Sequence, residues 1–320
     1  MQTVYIAGGA GFIGSHLCKR LLADGYEVVC IDNFLTSSKK NINPFFSNAH
    51  FHFLQKDILL LTEHDFEHIP LPQYIFHLAS PASPNLKSPR SYMSYPIETL
   101  RVNSQGTYIL LNLAKKMSSR FLYASTSEVY GDPKVSPQVE TYWGNVNPNG
   151  IRSVYDEGKR FGEAITIAYV RKFSLDARIA RIFNTYGPHM QNDDGRVVSN
   201  FILQSLHNEP LTIYGKGKQT RSFCFVSDLV EGLMKLMFTK NINGEVVNLG
   251  NPNERSIKVF AQLIKKLTKS SSQIVFEELP ADDPNRRCPD ISKAKKLLGW
   301  EPKVPLEEGL QKTIEYFKTV

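Results

Sequence analysis

Short apolar runs alternate with longer helical patterns through the first half of the chain. Runs at Thr3–Ala7, Glu27–Asp32, His50–Asp57, Tyr74–Ala79, Arg120–Ser125 and Asp176–Ile182 are rich in Val, Ile, Phe and Tyr. Near-continuous apolar runs of this length predict strands buried on both faces. Between them, Ile13–Asp24, Ile97–Met117 and Asp156–Phe173 repeat apolar residues at three- and four-residue spacing, which predicts amphipathic helices. Strand–helix–strand alternation points to an α/β protein of Rossmann type, a doubly wound parallel sheet covered on both faces.

The pattern changes after Phe183. Turn-rich stretches at 184–195, 215–217 and 251–253 separate shorter elements, and 280–289 is a polar loop punctuated by prolines. A helical pattern at Val226–Met237 and a strand pattern at Glu245–Leu249 look like a return to the first sheet. The expected organisation is a cofactor-binding domain over 1–183, with 222–250 returning to it. A smaller C-terminal substrate-binding lobe is expected over most of 184–320.

Composition narrows the class. Of 320 residues, 42% are hydrophobic and 22% charged, as in globular proteins. The longest apolar runs, such as Glu27–Ile31, are too short for a bilayer, so no membrane partner is expected. The N-terminus enters an apolar run directly, with no basic segment or small-residue cleavage site of a secretory leader. Cys18, Cys30, Cys224 and Cys288 are scattered without a CxxC pair. That excludes a zinc or disulfide framework, predicts no metal, and suits a reducing, cytoplasmic setting. The net charge of +7 raises the question of nucleic acid. Yet the lysines at 115–116, 265–266 and 293–296 lie on helical segments, and solvated helix faces account for them; no nucleic-acid partner is expected.

The strongest local motif is Gly8-Gly9-Ala10-Gly11-Phe12-Ile13-Gly14, which follows a strand and opens a helix. Gly8 permits the tight turn, Gly11 lets backbone approach a pyrophosphate, and Gly14 lets helix and strand pack closely. The helix N-terminus then faces an anion. Asp32 ends the second strand, where a carboxylate accepts the ribose hydroxyls of NAD and repels the 2′-phosphate of NADP; no arginine follows at once. Asp57 closes the third strand and is a candidate for the adenine side. Tyr155 and Lys159 are four residues apart on a predicted helix and share a face. A free phenol titrates too high to act as a base at neutral pH. The lysine ammonium and an oxidised nicotinamide are expected to lower it, which makes Tyr155 a proton acceptor from a hydroxyl. Ser125-Thr126-Ser127-Glu128 ends another strand, on the side where open α/β sheets bind ligands. Helix capping is the alternative use of these hydroxyls.

Together these residues resemble the extended short-chain dehydrogenase/reductase family. Further stretches are similar to one of its subfamilies, the UDP-glucuronate decarboxylases (UDP-xylose synthases). They are His77–Pro84, Ser125–Gly131, Tyr142-Trp143-Gly144, Arg181–Pro188, Gly195–Phe201, Gln219-Thr220-Arg221 and Gly299–Pro302. The resemblance implies oxidation at C4 of UDP-glucuronate, loss of CO2 from the 4-keto acid, protonation at C5 and return of hydride, with one NAD recycled. It implies catalytic roles for Tyr155, Lys159, Thr126, Ser127, Glu128 and Arg287. Lys159 would bind the nicotinamide ribose, Thr126 the C4 oxygen, and Ser127, Glu128 and Arg287 would stand near C5 and the carboxylate. It extends the cofactor site to Phe12, Ile13, Asn33, Phe34, Ile58, Leu78, Ala79, Ser80 and Asn103. It places Arg101, Asn184, Arg196, Tyr214, Gln219, Arg221 and Arg287 at the nucleotide sugar, and it implies a homodimer through a four-helix bundle built from the helices at 97–117 and 156–173.

Three positions depart from the subfamily pattern: Ala7 before the glycines, a longer Ser83–Pro96 loop, and Cys288 after Arg287. Rival readings on the same fold are a nucleotide-sugar 4,6-dehydratase, a 4-epimerase and an oxidative decarboxylase that releases NADH. A dehydratase needs an acid where Ser127 stands. A catalytically silent sensor would not need Thr126, Tyr155 and Lys159 together.

Overall fold

The computed structural model describes every residue except 87 and 279–285, so much of the polar loop expected at 280–289 lies outside the described residues. Six strands form in the first half: β1 (Thr3–Ala7), β2 (Glu27–Asp32), β3 (Phe51–Gln55), β4 (Tyr74–His77), β5 (Arg120–Thr126) and β6 (Ala177–Ile182). Strand Val246–Leu249 joins them beside β6. The seven strands run parallel in the order Val246–Leu249, β6, β5, β4, β1, β2, β3, the doubly wound Rossmann arrangement. Alternate residues of β1 feed two cores: Val4 and Ile6 face one, Tyr5 and Ala7 the other.

Helix α1 (Phe12–Ala23) covers one face together with Val226–Phe238. The other face is covered by the helices on either side of β5. Where the periodicity predicts one helix over 97–117, the chain makes three pieces: α2 (Pro96–Arg101), a π-helical turn Val102–Gly106, and α3 (Thr107–Met117). At this turn the Ser104 and Thr107 hydroxyls donate to the carbonyls of Leu100 and Asn103 at 2.6 and 2.7 Å. The widened turn is invisible to apolar spacing. Helix α4 (Ser153–Phe173) begins a little before its predicted start.

In the second half, Thr220–Ser222 pairs antiparallel with Glu254–Ser256 and parallel with Arg286–Arg287, and Leu211–Tyr214 pairs with Ile274–Glu277. Val198, Phe201 and Phe260 from this half belong to the same buried cluster as Val4 and Leu17, so one core runs through both halves. All four cysteines are free and buried. Among the described residues no helix is long and apolar enough to cross a membrane.

Candidate active site

The glycine loop connects β1 to α1. Gly8 has φ +83°, a left-handed conformation that side chains disfavour, and a Cβ on Gly14 would collide with the Gly8 carbonyl. Helix α1 has no side-chain cap and no acid in its first turn, so its free N–H groups and positive dipole end remain available to an anion. A groove of two joined clefts, of about 190 and 180 Å3, runs over this loop; both are lined by Gly8, Gly11, Leu78 and Ser80.

Asp32 lies in the first cleft with Asn33, Asp57, Ile58 and Ala79. Its Oδ1 accepts from Phe34 N–H (2.9 Å) and Ser37 Oγ (2.7 Å), and its Oδ2 from Ala10 N–H (3.0 Å). Burial pushes its carboxyl up, and these hydrogen bonds oppose the shift. Two acceptor directions of four are thus filled by loop backbone, and taking both ribose hydroxyls requires Ser37 to yield its own. Asp57 caps the following turn through Leu59 N–H at 2.9 Å and accepts from Asn33 Nδ2 at 3.1 Å.

The second cleft gathers Phe12, Ile13, Gly14, Thr126, Ser127, Tyr155, Lys159, Asn184 and Arg196. Thr126 Oγ1 caps the Ser127–Tyr130 turn by accepting from Glu128 N–H (3.2 Å), the capping use, and the same side chain faces the Tyr155 hydroxyl. Lys159 Nζ donates to Ala124 O at 2.8 Å and stands 5.7 Å from the Tyr155 ring centre. Burial pulls the ammonium down to about 7. The phenol corrects the sequence argument. Burial, then the Glu128 charge, push Tyr155 above its ordinary value, and Lys159 is not among the groups that lower it. Within the protein, the groups that lower it are the Thr126 hydroxyl and the Arg196 charge.

Glu128 and Arg287 line neither cleft but stand in a buried ionic cluster beside Tyr155. Glu128 accepts from Arg152 Nη2 (2.7 Å), Arg287 Nη1 (3.3 Å) and the Tyr92 hydroxyl (3.3 Å). Burial opposes its ionisation, but the two guanidiniums outweigh it and hold the carboxyl at about 2. Tyr92, from the long 83–96 loop, is buried and stacks on Tyr155 with ring centres 4.8 Å apart and planes 3° from parallel. The loop is pinned to the 193–195 segment by Arg90–Asp193 (2.7 Å) and by Ser88 Oγ donating to Asp193 O at 2.5 Å. Arg287 is carried by its neighbour: Cys288 N–H donates to Gln138 Oε1 at 2.8 Å.

Sequence reasoning missed Tyr92, Arg152 and Asp156 in this cluster. Asp156 lay inside the Tyr155–Lys159 motif and could have been singled out; the other two carry no local signal. Some candidates lie elsewhere. Arg101 lines the first cleft with Glu98 and Val102, apart from the other residues assigned to the sugar. Asn103 is fully buried and donates to Ser80 Oγ and Thr99 O, both at 2.8 Å, so it supports the cleft through Ser80. Phe34 contributes its backbone N–H to Asp32 while its ring packs 5.2 Å from Phe53. Tyr214, Gln219 and Arg221 line neither cleft; Gln219 Nε2 donates to Tyr214 O at 2.7 Å, and Arg221 lies in the strand beside Arg287.

Sheet order, glycine loop and the Tyr155/Lys159 pair define a dinucleotide-dependent enzyme of the short-chain dehydrogenase/reductase class. The family model described as GDP-mannose 4,6 dehydratase matches residues 5–313. UDP-glucuronic acid decarboxylase 1 of Xenopus tropicalis is 54% identical over 99% of this chain and 72% of that protein. UDP-glucuronic acid decarboxylase 2 of Arabidopsis thaliana is 51% identical over 98% and 68%. Among solved structures, UDP-glucuronic acid 4-epimerase from Bacillus cereus, in complex with UDP-glucuronic acid and NAD, superposes with TM-score 0.87 at 31% identity, covering 99% of each chain. The chain belongs to the UDP-glucuronic acid decarboxylase family.

Proposed function

We propose that this enzyme converts UDP-glucuronate to UDP-xylose and CO2 with no net change in its NAD. The observation that carries the reading is the buried Glu128–Arg152–Arg287 cluster standing beside Tyr155, with Ser127 instead of an acid next to it. The glycine loop, Asp32 and Lys159 would hold NAD, which would supply a reversible hydride acceptor for C4. Tyr155 takes the C4 hydroxyl proton, with Thr126 holding the same oxygen, and Lys159 binds the nicotinamide ribose. Arg287 orients the sugar carboxylate; the bond from C5 to the carboxylate breaks, its electron pair passes into the 4-ketone as CO2 leaves, and Glu128, an anion, orients the donor that protonates C5 and does not itself supply the proton. Asn184, Arg196, Tyr214, Gln219 and Arg221 hold the nucleotide, arginines pairing the diphosphate. Incubation with UDP-glucuronate should yield UDP-xylose and CO2 in equal amounts with no accumulation of NADH. Stoichiometric NADH would make it an oxidative decarboxylase, and UDP-galacturonate a 4-epimerase.

Residues 1–183 with 222–250 would form the cofactor lobe and most of 184–320 the nucleotide-sugar lobe. Ile97, Leu100, Tyr108, Phe161 and Phe173 project from α2, α3 and α4 with a third or more of their surface exposed. Such an apolar face on paired helices supports a homodimer closed by a four-helix bundle. A cytoplasmic location fits four free cysteines.

Two predictions arise here. NAD should bind at least roughly a hundredfold more tightly than NADP in calorimetry, because a 2′-phosphate would meet Asp32; equal affinities would remove Asp32 as the selector. Ser127→Asp should weaken UDP-glucuronate turnover by up to about a thousandfold, since two charges about 4 Å apart repel by roughly 4 kcal/mol at an effective dielectric near 20. Ser127→Ala should do much less harm, and equal effects of the two would exclude charge as the cause.

A further inference from the structure

Asp156 has no part in the chemistry above, yet only 7% of its surface is exposed and it stands within the ionic cluster. It follows Tyr155 in the first turn of α4, and its Oδ1 has no hydrogen-bond partner among the described residues. The groups that face it come from every side: Glu128 from the turn after β5, Arg152 from before α4, Arg287 from the second lobe, Tyr92 from the long loop, and Tyr155 from its own helix. Two buried carboxyls in mutual contact do not both ionise; one keeps its proton. Geometry selects which. Two guanidinium donors and a phenol converge on Glu128 at 2.7, 3.3 and 3.3 Å, whereas Asp156 retains an oxygen without a donor. Glu128 is the anion and Asp156 the neutral acid. Burial and the Glu128 charge accordingly push Asp156 up to about 8.

Arg287 is 6% exposed and its Nε has no partner among the described residues, so the cluster behind the second cleft holds a buried guanidinium with a donor left over, and on the proposed reading the sugar carboxylate approaches this cluster. An ionised Asp156 beside it would add a negative charge where the sugar carboxylate must lie. We propose that Asp156 is a specificity-determining residue of the decarboxylase, and that it must stay neutral for the glucuronate carboxylate to bind.

The proposal rests on the UDP-glucuronate reading and is tested separately from it. Calorimetry on the holoenzyme loaded with NADH, which cannot oxidise C4 and so leaves the ligand unconverted, measures the affinities of UDP-glucuronate and of UDP-xylose, which has the same nucleotide and no carboxylate, across pH. The ratio of the two cancels titrations that affect both ligands. Above pH 8 the preference for UDP-glucuronate should fall roughly tenfold per pH unit, with uptake of up to one proton on binding, as linkage to one acid requires. Asp156→Asn, permanently neutral, should keep the preference and make it flat with pH. A flat ratio in the wild type overturns the proposal, as does loss of the preference at neutral pH in the variant. Should Asp156→Asn not fold, the infrared band of a protonated carboxyl in the wild type decides: present at neutral pH and lost above pH 8 supports it, and absent at neutral pH overturns it. Failure to release CO2 from UDP-glucuronate sinks the reading beneath the proposal and is seen in the same preparation loaded with NAD.

Discussion

Tyr155→Phe is expected to keep the fold and NAD binding while turnover falls by a factor of roughly 10² or more, the usual scale for removing a general base. The substitution deletes one oxygen and leaves the ring, so the stack on Tyr92, at 4.8 Å between ring centres, survives. What disappears is the hydroxyl facing Thr126 and standing among Glu128, Asp156 and Arg196, the group proposed to take the C4 hydroxyl proton. Product formation measures the loss, and calorimetry with NAD shows that the cofactor site persists. Near-normal turnover would assign the base elsewhere. Burial, then the Glu128 charge, raise the phenol, so on the proposed reading the pH dependence of turnover in the wild type should include a phenol titration that the variant lacks.

Glu128→Ala is expected to destabilise the enzyme by about 3 to 5 kcal/mol, because it leaves the Arg152 and Arg287 guanidiniums without their shared buried carboxylate. The low end is favoured, since Asp156 can then ionise and replace part of the lost charge. The double variant with Asp156→Asn should therefore cost more than the sum of the two single changes. Urea unfolding at constant slope reads both effects, and additivity would show that the two carboxyls do not communicate. The pH sense follows from a folded-state value of about 2 against an ordinary 4.5. Glu128 stabilises the folded state fully above 4.5, and the contribution disappears as pH falls through about 2.

Most of the sheet and the glycine loop were legible before any coordinate, because both are matters of local spacing. Strands β1 to β6 stand within a few residues of their apolar runs. The broken helix at 96–117 was not legible, because one extra residue in a π-helical turn leaves the apolar spacing on either side of it unchanged in kind. Nor was it legible that Arg101 lines the first cleft and not the second, because a residue type says nothing about which of two adjoining clefts it faces.

The sequence by itself determined the class of fold, the anion-binding loop, the acid at the end of β2 and the pairing of Tyr155 with Lys159. Each is set by residues a few positions apart on a regular backbone, whose periodicity aligns them before any tertiary contact forms. Only the tertiary structure decided the charge state of the site. Tyr92, Arg152 and Arg287 reach Glu128 from 36, 24 and 159 residues away, and burial turns those meetings into large shifts: Glu128 down, Asp156 up, Lys159 down to about 7. Electrostatic energies depend on separations of a few ångströms and on the exclusion of water, and neither is defined until distant segments have packed.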